Sequence, residues 1–184
     1  MVSYRYTARD GTKLLFREPK AGDAPRFVRF FNPIVAERRS GILVDKKVSL
    51  SEEKAWLKSR LAEIKSRKTV MLLIEKGGEI VGNCDVSRWH GKCAHVADVG
   101  IVLAPELRGM GVGRALMEKT MSLAAKRMRG LEIMELKVFS YNARARKLYE
   151  SMGFLEAGRI PRGTKEGTDY FDDVTMIRPI RKRR

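Results

Sequence analysis

The feature that most constrains this chain is the segment Gly109–Gly113, which has glycine at every second position. The apolar residues before it, up to Leu103, predict a strand that ends before Pro105. The residues after it, Val112–Met128, place apolar side chains along one face of a helix. A strand, a close glycine turn and a helix in succession are typical of folds in which helices pack on a sheet. The segment therefore favours an α/β class.

The same periodicity analysis predicts the other elements of the chain. Predicted strands cover Lys13–Glu18, Val70–Glu75, Ile80–Ser87, Ala94–Leu103, Ile133–Phe139, Phe154–Ile160 and Tyr170–Ile180. Predicted helices cover Gly22–Val35 with an interruption at Pro33, Ser49–Arg67 behind a capping box, Val112–Met128, and Asn142–Met152. A polar loop is expected over 161–169. This order predicts an α/β (α+β) fold, a mixed sheet with helices on both faces.

The glycine segment is expected at the start of a helix, where the first backbone N–H groups have no intrahelical acceptor. Those groups and the positive end of the helix dipole favour a phosphate. A nucleoside-triphosphate loop requires Lys and Ser or Thr after its last glycine, whereas Arg114 and Ala115 follow Gly113. A dinucleotide loop would require glycine at position 114. The sequence therefore predicts a phosphate site of neither nucleotide class.

The charge balance is strongly basic, because 38 Lys and Arg stand against 22 Asp and Glu, a formal net charge of +16. Part of this charge lies in the tail at 181–184. A field of this sign attracts polyanions such as nucleic acid, acidic proteins or a phosphorylated cofactor. A solvated basic surface with no dedicated partner is an equally open interpretation.

The 184 residues fit a single domain over 1–184 with a hydrophobic core of its own. The chain lacks the run of ~20 apolar residues that a membrane helix needs. Its first residues also lack the apolar segment of a secretory signal. We therefore expect a cytoplasmic protein with no membrane partner.

The two cysteines, Cys84 and Cys93, are too few for a disulfide framework, and they are not clustered with enough histidines for a metal site. No metal is therefore expected. Reduced thiols are expected in a cytoplasm. A bond between the two cysteines across a hairpin stays open.

Two motifs occur in order along the chain. Arg108, Gly111 and Gly113 form the pattern Arg-x-x-Gly-x-Gly, and a second stretch runs Asn142-x-x-Ala145-x-x-x-Tyr149-x-x-x-Gly153-Phe154. One predicted helix and one predicted strand separate them. With these motifs the chain resembles the GNAT family of N-acetyltransferases over about residues 12–180, although 19–67 match only in outline.

The resemblance implies a mostly antiparallel sheet that is splayed at its centre, with acetyl-CoA as the cosubstrate. Loop amides would hold the diphosphate, with charge support from Arg108 and Arg114. A backbone donor at the end of the preceding strand would polarise the thioester carbonyl. The implied cofactor-binding residues are Val102, Leu103, Ala104, Arg108, Gly109, Met110, Gly111, Val112, Gly113, Arg114 and Asn142.

The resemblance also implies two catalytic residues. Tyr149 would protonate the coenzyme A thiolate, while Asn142, two turns away on the same helix face, would contact the pantetheine arm. Asp98 occupies a position where many members carry glutamate, and it is the candidate general base, with His95 or water as alternatives. Taken singly, Asn142 is an ordinary N-cap and Tyr149 a half-buried aromatic. Their joint placement in the motif favours the functional interpretation.

We therefore expect an acyl-CoA-dependent N-acetyltransferase that moves an acetyl group from acetyl-CoA to a primary amine by direct transfer in a ternary complex. A protein N-terminus, a lysine, a polyamine or a small amine fits equally as acceptor. Acyl chain length and oligomeric state are also open. The alternative is a basic nucleic-acid- or ribosome-associated module in which coenzyme A binding is regulatory or vestigial.

Overall fold

The structure, a computed structural model, describes residues 2–180. Its strands are β1 (Ser3–Thr7), β2 (Lys13–Arg17), β3 (Thr69–Lys76), β4 (Glu79–Arg88), β5 (Val96–Leu103), β6 (Ile133–Phe139), β7 (Leu155–Glu166) and β8 (Asp169–Pro179). Its α-helices are α1 (Ala24–Val35), α2 (Leu50–Lys65), α3 (Val112–Arg127) and α4 (Ala143–Ser151).

The strands follow the order β1-β2-β3-β4-β5-β6-β8-β7 in one sheet. β5 and β6 are parallel, whereas β1–β2, β2–β3, β3–β4, β6–β8 and β7–β8 are antiparallel pairs. The predicted fold class, a mixed and mostly antiparallel α/β sheet, is confirmed. β1 was not predicted, because its alternating Tyr and polar residues cover only five positions.

The chain divides into two compact units. The first contains the residues up to Ser87 together with Gly100–Arg129, and the second contains Arg88–Val99 and the residues from Gly130 onward. β5 contributes residues to both units. The prediction of one domain over 1–184 stays a prediction, and the basic tail at 181–184 lies outside the described residues.

In the first unit, helices cover both faces of β3 and β4. Met71 and Leu73 pack against the apolar face of α1. Leu72 lies between them and points to the opposite face, because side chains alternate along a strand. Leu72 pairs with Cys84, whose thiol hydrogen-bonds with Thr120 of α3. α1 and α3 therefore lie on opposite faces of these strands.

The predicted interruption of α1 at Pro33 is wrong, since the helix continues to Val35. Phe27, Phe30 and Ile34 of α1 are buried in one core cluster. Their burial holds the helix together across the position where proline removes one hydrogen bond. α2 begins as predicted behind a capping box of Ser49 and Glu52.

The second unit contains a long hairpin of β7 and β8. The predicted loop over 161–169 is wrong, because β7 continues to Glu166 and the turn is only two residues long. Most β7 side chains are exposed, so the strand carries the polar residues that are typical of a loop. Two register shifts interrupt the β7–β8 ladder and further obscure the period of two.

The parallel ladder between β5 and β6 is short. It joins Val96–Asp98 to Ile133–Glu135, which is three residue pairs in strands of eight and seven residues.

Candidate functional site

The glycine segment lies in the first unit, between β5 and α3. Pro105–Leu107 form one short helical turn, and Gly109 and Gly111 follow with φ of 87° and 79°. Both values lie in the left-handed region, which glycine enters without steric cost. α3 begins at the next residue, Val112. The sharp strand-to-helix turn therefore depends on these two glycines.

The N-terminus of α3 is open. Its N-cap is Gly111, and no side chain caps the first turn within the described residues. The bond from Ala115 N to Gly111 O, at 3.2 Å, is the first of the helix, so the amides of 112–114 precede the helical ladder. All residues of this first turn are described, and none is acidic. An N-terminus of this kind presents N–H donors and a positive dipole end, which together bind phosphate.

The two arginines of the segment both meet carboxylates. Arg108 forms a two-bond ion pair with Glu37, with one bond at 2.8 Å, and its Nε donates to Leu103 O at 3.1 Å. The Arg108 guanidinium holds the pKa of the Glu37 carboxyl below its ordinary value. Arg114 lies 3.6 Å from Glu118, one turn along α3. Arg108 therefore ties the loop to the residues after α1, a contact that sequence analysis missed.

The end of β5 supplies the backbone positions that the resemblance implies. Ala104 N donates to Val81 O of β4 at 3.0 Å. Successive backbone groups of a strand alternate in direction, so the N–H of Leu103 points away from β4. Val102 packs its side chain against the α1 cluster. Of the three implied positions, Leu103 is the one whose N–H is directed away from the neighbouring strand.

Asp85 of β4 is a carboxylate that sequence analysis did not single out. Its Oδ1 atom would lie 3.2 Å from a Cβ atom placed on Gly100 of β5, so the glycine leaves room for the carboxylate. Its Oδ2 atom accepts a hydrogen bond from Ser87 at 3.0 Å and lies 3.9 Å from Arg60. Burial raises the pKa of Asp85. An acid within a predicted strand was the available signal, but only strand pairing shows which residue the acid faces.

The second motif lies in the second unit, at the turn from β6 to α4. Asn142 is the N-cap of α4, and its side-chain oxygen accepts a hydrogen bond from Ala145 N at 3.1 Å. Tyr149 is 8% exposed, and its ring centroid lies 6.1 Å from that of Phe154. Phe154 is fully buried, so the end of the motif holds the tyrosine ring in place.

Asp98 and His95 also belong to the second unit. Asp98 lies on β5, is exposed, and pairs with Glu135 in the parallel ladder. His95 is exposed and precedes β5, and its carbonyl accepts hydrogen bonds from the amides of Glu132 and Ile133. The structure therefore places Asp98 within the strand, as expected, and His95 before it.

Within residues 2–180, no group of three or more His, Cys, Asp and Glu side chains is spaced to hold a metal ion. Cys84 is buried, Cys93 is exposed, and both are free thiols, so the disulfide that the sequence left open is not formed. None of the described helices is both long enough and apolar enough to cross a bilayer.

The sequence and the fold of this chain are similar to those of known proteins. The sequence pattern of the Acetyltransferase (GNAT) family matches residues 39–154. "L-amino acid N-acetyltransferase AaaT" of Escherichia coli (strain K12) is 30% identical over 120 residues, 65% of this chain and 72% of that protein. The structure of an acetyltransferase of the GNAT family from Streptococcus pneumoniae has a TM-score of 0.81 and 26% identity, and the match covers 91% of this chain and 99% of that one.

A further solved structure shares the fold. The yncA protein from Salmonella typhimurium, solved with its cofactor acetyl-CoA, has a TM-score of 0.79 and 20% identity over 93% of this chain and 96% of its own. The predicted family and enzyme class, an N-acetyltransferase of GNAT type, are confirmed. Because the family match spans both motifs and well over half of the sequence, the chain belongs to the Acetyltransferase (GNAT) family.

Proposed function

We propose that this protein transfers an acetyl group from acetyl-CoA to a primary amine. The observation that carries the proposal is the open N-terminus of α3, with two positive-φ glycines and no side-chain cap among the described residues. Coenzyme A carries a diphosphate, the kind of group that such a terminus binds. The acetyl-CoA in the yncA structure supports the same cosubstrate.

The diphosphate would be held by backbone amides. The donors are those of Gly109, Met110, Gly111, Val112, Gly113 and Arg114. Arg108 forms an ion pair with Glu37, so it supports diphosphate binding by stabilising the conformation of the loop. Arg114, in the first turn of α3, adds positive charge near the phosphates.

The chemistry requires the amine nitrogen to attack the thioester carbonyl carbon, the C–S bond to break, and a proton to reach the departing thiolate. The N–H of Leu103, between Val102 and Ala104, would donate to the carbonyl oxygen, where negative charge develops. Tyr149 would give its phenolic proton to the sulfur. Asn142 uses its side-chain oxygen as a cap, so its contact with pantetheine would come from the amide nitrogen.

The amine must lose a proton before it attacks. Asp98 is the position that the resemblance singles out, with His95 or water as alternatives. Asp85 is a further candidate, and its raised pKa brings a carboxylate base closer to neutrality. The variants Asp98→Asn and Asp85→Asn distinguish between these two carboxylates. The variant that lacks the general base is expected to lose the acidic limb of the pH profile of kcat/KM. Retention of the limb in both variants would favour His95 or water.

Direct transfer is favoured over an acetyl-cysteine intermediate. Such an intermediate needs a thiolate nucleophile. Burial raises the pKa of Cys84, which opposes thiolate formation at neutral pH. Cys93 is exposed in the turn before β5. A variant with both cysteines replaced by alanine is expected to keep its turnover, and loss of activity would contradict direct transfer.

The similar proteins support an amine as the acceptor, but they do not identify which amine. The name of the Escherichia coli relative gives L-amino acids as its acceptors, which supports including free amino acids in any test. The matched family and these relatives give no support to the alternative of a nucleic-acid- or ribosome-associated module.

The proposal is tested by an acceptor screen that follows release of free coenzyme A thiol from acetyl-CoA. Amino acids, polyamines, peptides with free N-termini and peptides with lysine are compared at equal concentration. We expect release that depends on one acceptor class and an acetylated amine product by mass spectrometry. A folded protein that binds acetyl-CoA but acetylates none of these amines would contradict the proposal.

A further inference from the structure

A basic side chain from another element borders the open N-terminus of α3. A Cβ atom placed on Gly111 would lie 3.6 Å from Arg9 Nε, 3.9 Å from Arg9 Cζ and 3.9 Å from the Tyr6 hydroxyl oxygen. Arg9 follows β1 in the turn to β2, and both this hairpin and the glycine segment belong to the first unit. The family match begins at residue 39, so the hairpin lies outside it.

Hydrogen bonds within the hairpin turn fix the backbone next to Arg9. Both carboxylate oxygens of Asp10 accept hydrogen bonds from Thr12, one from its amide at 3.0 Å and one from its hydroxyl at 2.8 Å. Asp10 is therefore engaged within the turn rather than with the adjacent guanidinium. The ring of Tyr6 stacks on the buried ring of Phe16 with centroids 5.1 Å apart. The backbone that carries Arg9 and the ring of Tyr6 are thus both positioned by local structure.

Arg9 also differs from the loop's own arginines in its charge environment. Arg108 pairs with Glu37, and Arg114 lies near Glu118. Across residues 2–180, no carboxylate forms an ion pair with the exposed Arg9. An arginine whose charge is not neutralised, next to uncapped amides, is suited to phosphate because its planar donors match two phosphate oxygens.

We propose that Arg9 is a phosphate-binding residue whose guanidinium pairs with the diphosphate of coenzyme A over the N-terminus of α3. This inference rests on the proposed function, since it names a further ligand of the same cosubstrate. It assigns a role in the cofactor site to a hairpin outside the family match.

The test measures binding by isothermal titration calorimetry with coenzyme A and with 3′-dephospho-coenzyme A. The proteins are the unaltered chain, Arg9→Ala, Arg9→Lys and the control Arg5→Ala. Arg5 is exposed on β1 and neighbours Tyr6, so it points to the other face of the hairpin. Arg5→Ala removes the same charge without touching the loop. Thermal unfolding of each variant establishes that it is folded.

We expect Arg9→Ala to weaken coenzyme A binding about tenfold or more, since charge-assisted bonds to phosphate are strong. The same factor is expected for 3′-dephospho-coenzyme A, because the diphosphate is still present. Arg9→Lys should retain part of the affinity, and Arg5→Ala should stay within about twofold, as long-range charge effects are screened by salt.

Equal effects of Arg9→Ala and Arg5→Ala would overturn the inference while leaving the proposed function standing. A loss seen only when the 3′-phosphate is present would also overturn it, because the contact would then be to that phosphate. Failure of the folded, unaltered chain to bind coenzyme A would overturn the proposed function and this inference together.

Discussion

Helices α3 and α4 both follow a strand, yet their N-termini are built differently. The N-cap of α4 is Asn142, whose side chain accepts a hydrogen bond from Ala145 N. The N-cap of α3 is Gly111, which has no side chain to cap the turn and a φ of 79°. A capped terminus satisfies its own amides and stabilises the chain. An uncapped one leaves its amides available to a ligand, which is the difference we expect between a structural helix start and one that binds the diphosphate.

The chain tolerates the open terminus because α3 is anchored by packing rather than by a cap. A glycine N-cap costs roughly a few tenths of a kcal/mol relative to Ser, Asn or Asp. Burial of a single large apolar side chain contributes about 1.5–3 kcal/mol. The buried apolar residues of α3 include Val112, Leu116, Met117, Met121 and Ala124.

The largest effect is expected from making α3 resemble a helix with an acidic N-cap. Gly111→Asp places a carboxylate at the uncapped amides, where it competes with and repels the diphosphate. Like-charge placement costs several kcal/mol, so we expect acetyl-CoA affinity to fall on the order of 1,000-fold by calorimetry. Gly111→Asn is the matched control, with similar shape and no charge. Equal affinities for the two variants would show that the terminus does not bind an anion.

The next largest effect concerns chemistry on α4 rather than phosphate binding. Tyr149→Phe removes the proton that we assign to the departing thiolate, while the buried ring stays in place. We expect kcat to fall about 100-fold, the usual scale for general acid catalysis. The acetyl-CoA dissociation constant should change less than twofold. Unchanged kcat with a confirmed acceptor would remove Tyr149 from the mechanism.

A smaller effect is expected from opening the capped terminus. Asn142→Ala leaves the first turn of α4 without its cap, so the free energy of unfolding should fall by about 1 kcal/mol. The midpoint of urea unfolding measures this change. Asn142→Asp serves as control because it keeps a capping oxygen. If Asn142→Ala leaves the urea midpoint unaltered, the cap does not stabilise the protein, and the structural role that we assign to the N-terminus of α4 is contradicted.

The smallest effect concerns the pair that ties the loop to the residues after α1. Arg108 and Glu37 are partly exposed, with 28% and 33% of their side-chain surface accessible. Pairs of this kind contribute about 1 kcal/mol or less. We expect Arg108→Ala, Glu37→Ala and the double variant to weaken acetyl-CoA binding by the same few-fold factor, because each breaks one shared contact. A markedly larger loss for Arg108→Ala alone would instead indicate that Arg108 contacts the phosphates.

Local sequence patterns predicted much of the fold correctly. The capping box at Ser49, the β6 strand and the start of α3 all appear within a residue or two of their predicted bounds. These features depend on neighbouring residues, such as a serine three positions before a glutamate. The prediction of a loop over 161–169 was wrong because the local pattern there is uninformative. An exposed edge strand such as β7 lacks the apolar alternation that marks half-buried strands.

The site could be predicted only in its local parts. The glycine segment and the Asn142 cap are contiguous motifs, and both lie where they were expected. The partner of Arg108 is 71 residues away, and Arg9 meets the loop through a hairpin that is far from it in sequence. Asp85 reaches Gly100 only through the pairing of two strands. Contacts of this kind depend on tertiary packing, which no local pattern records.

The most direct measurement is a titration of the ¹⁵N-labelled protein with acetyl-CoA, followed by amide chemical shifts. If the open N-terminus of α3 holds the diphosphate, the amides of residues 109–114 should shift most strongly. S-acetylpantetheine, which lacks the diphosphate, should leave them nearly unchanged. Saturable acetyl-CoA binding that leaves the amides of 109–114 unperturbed would contradict the account.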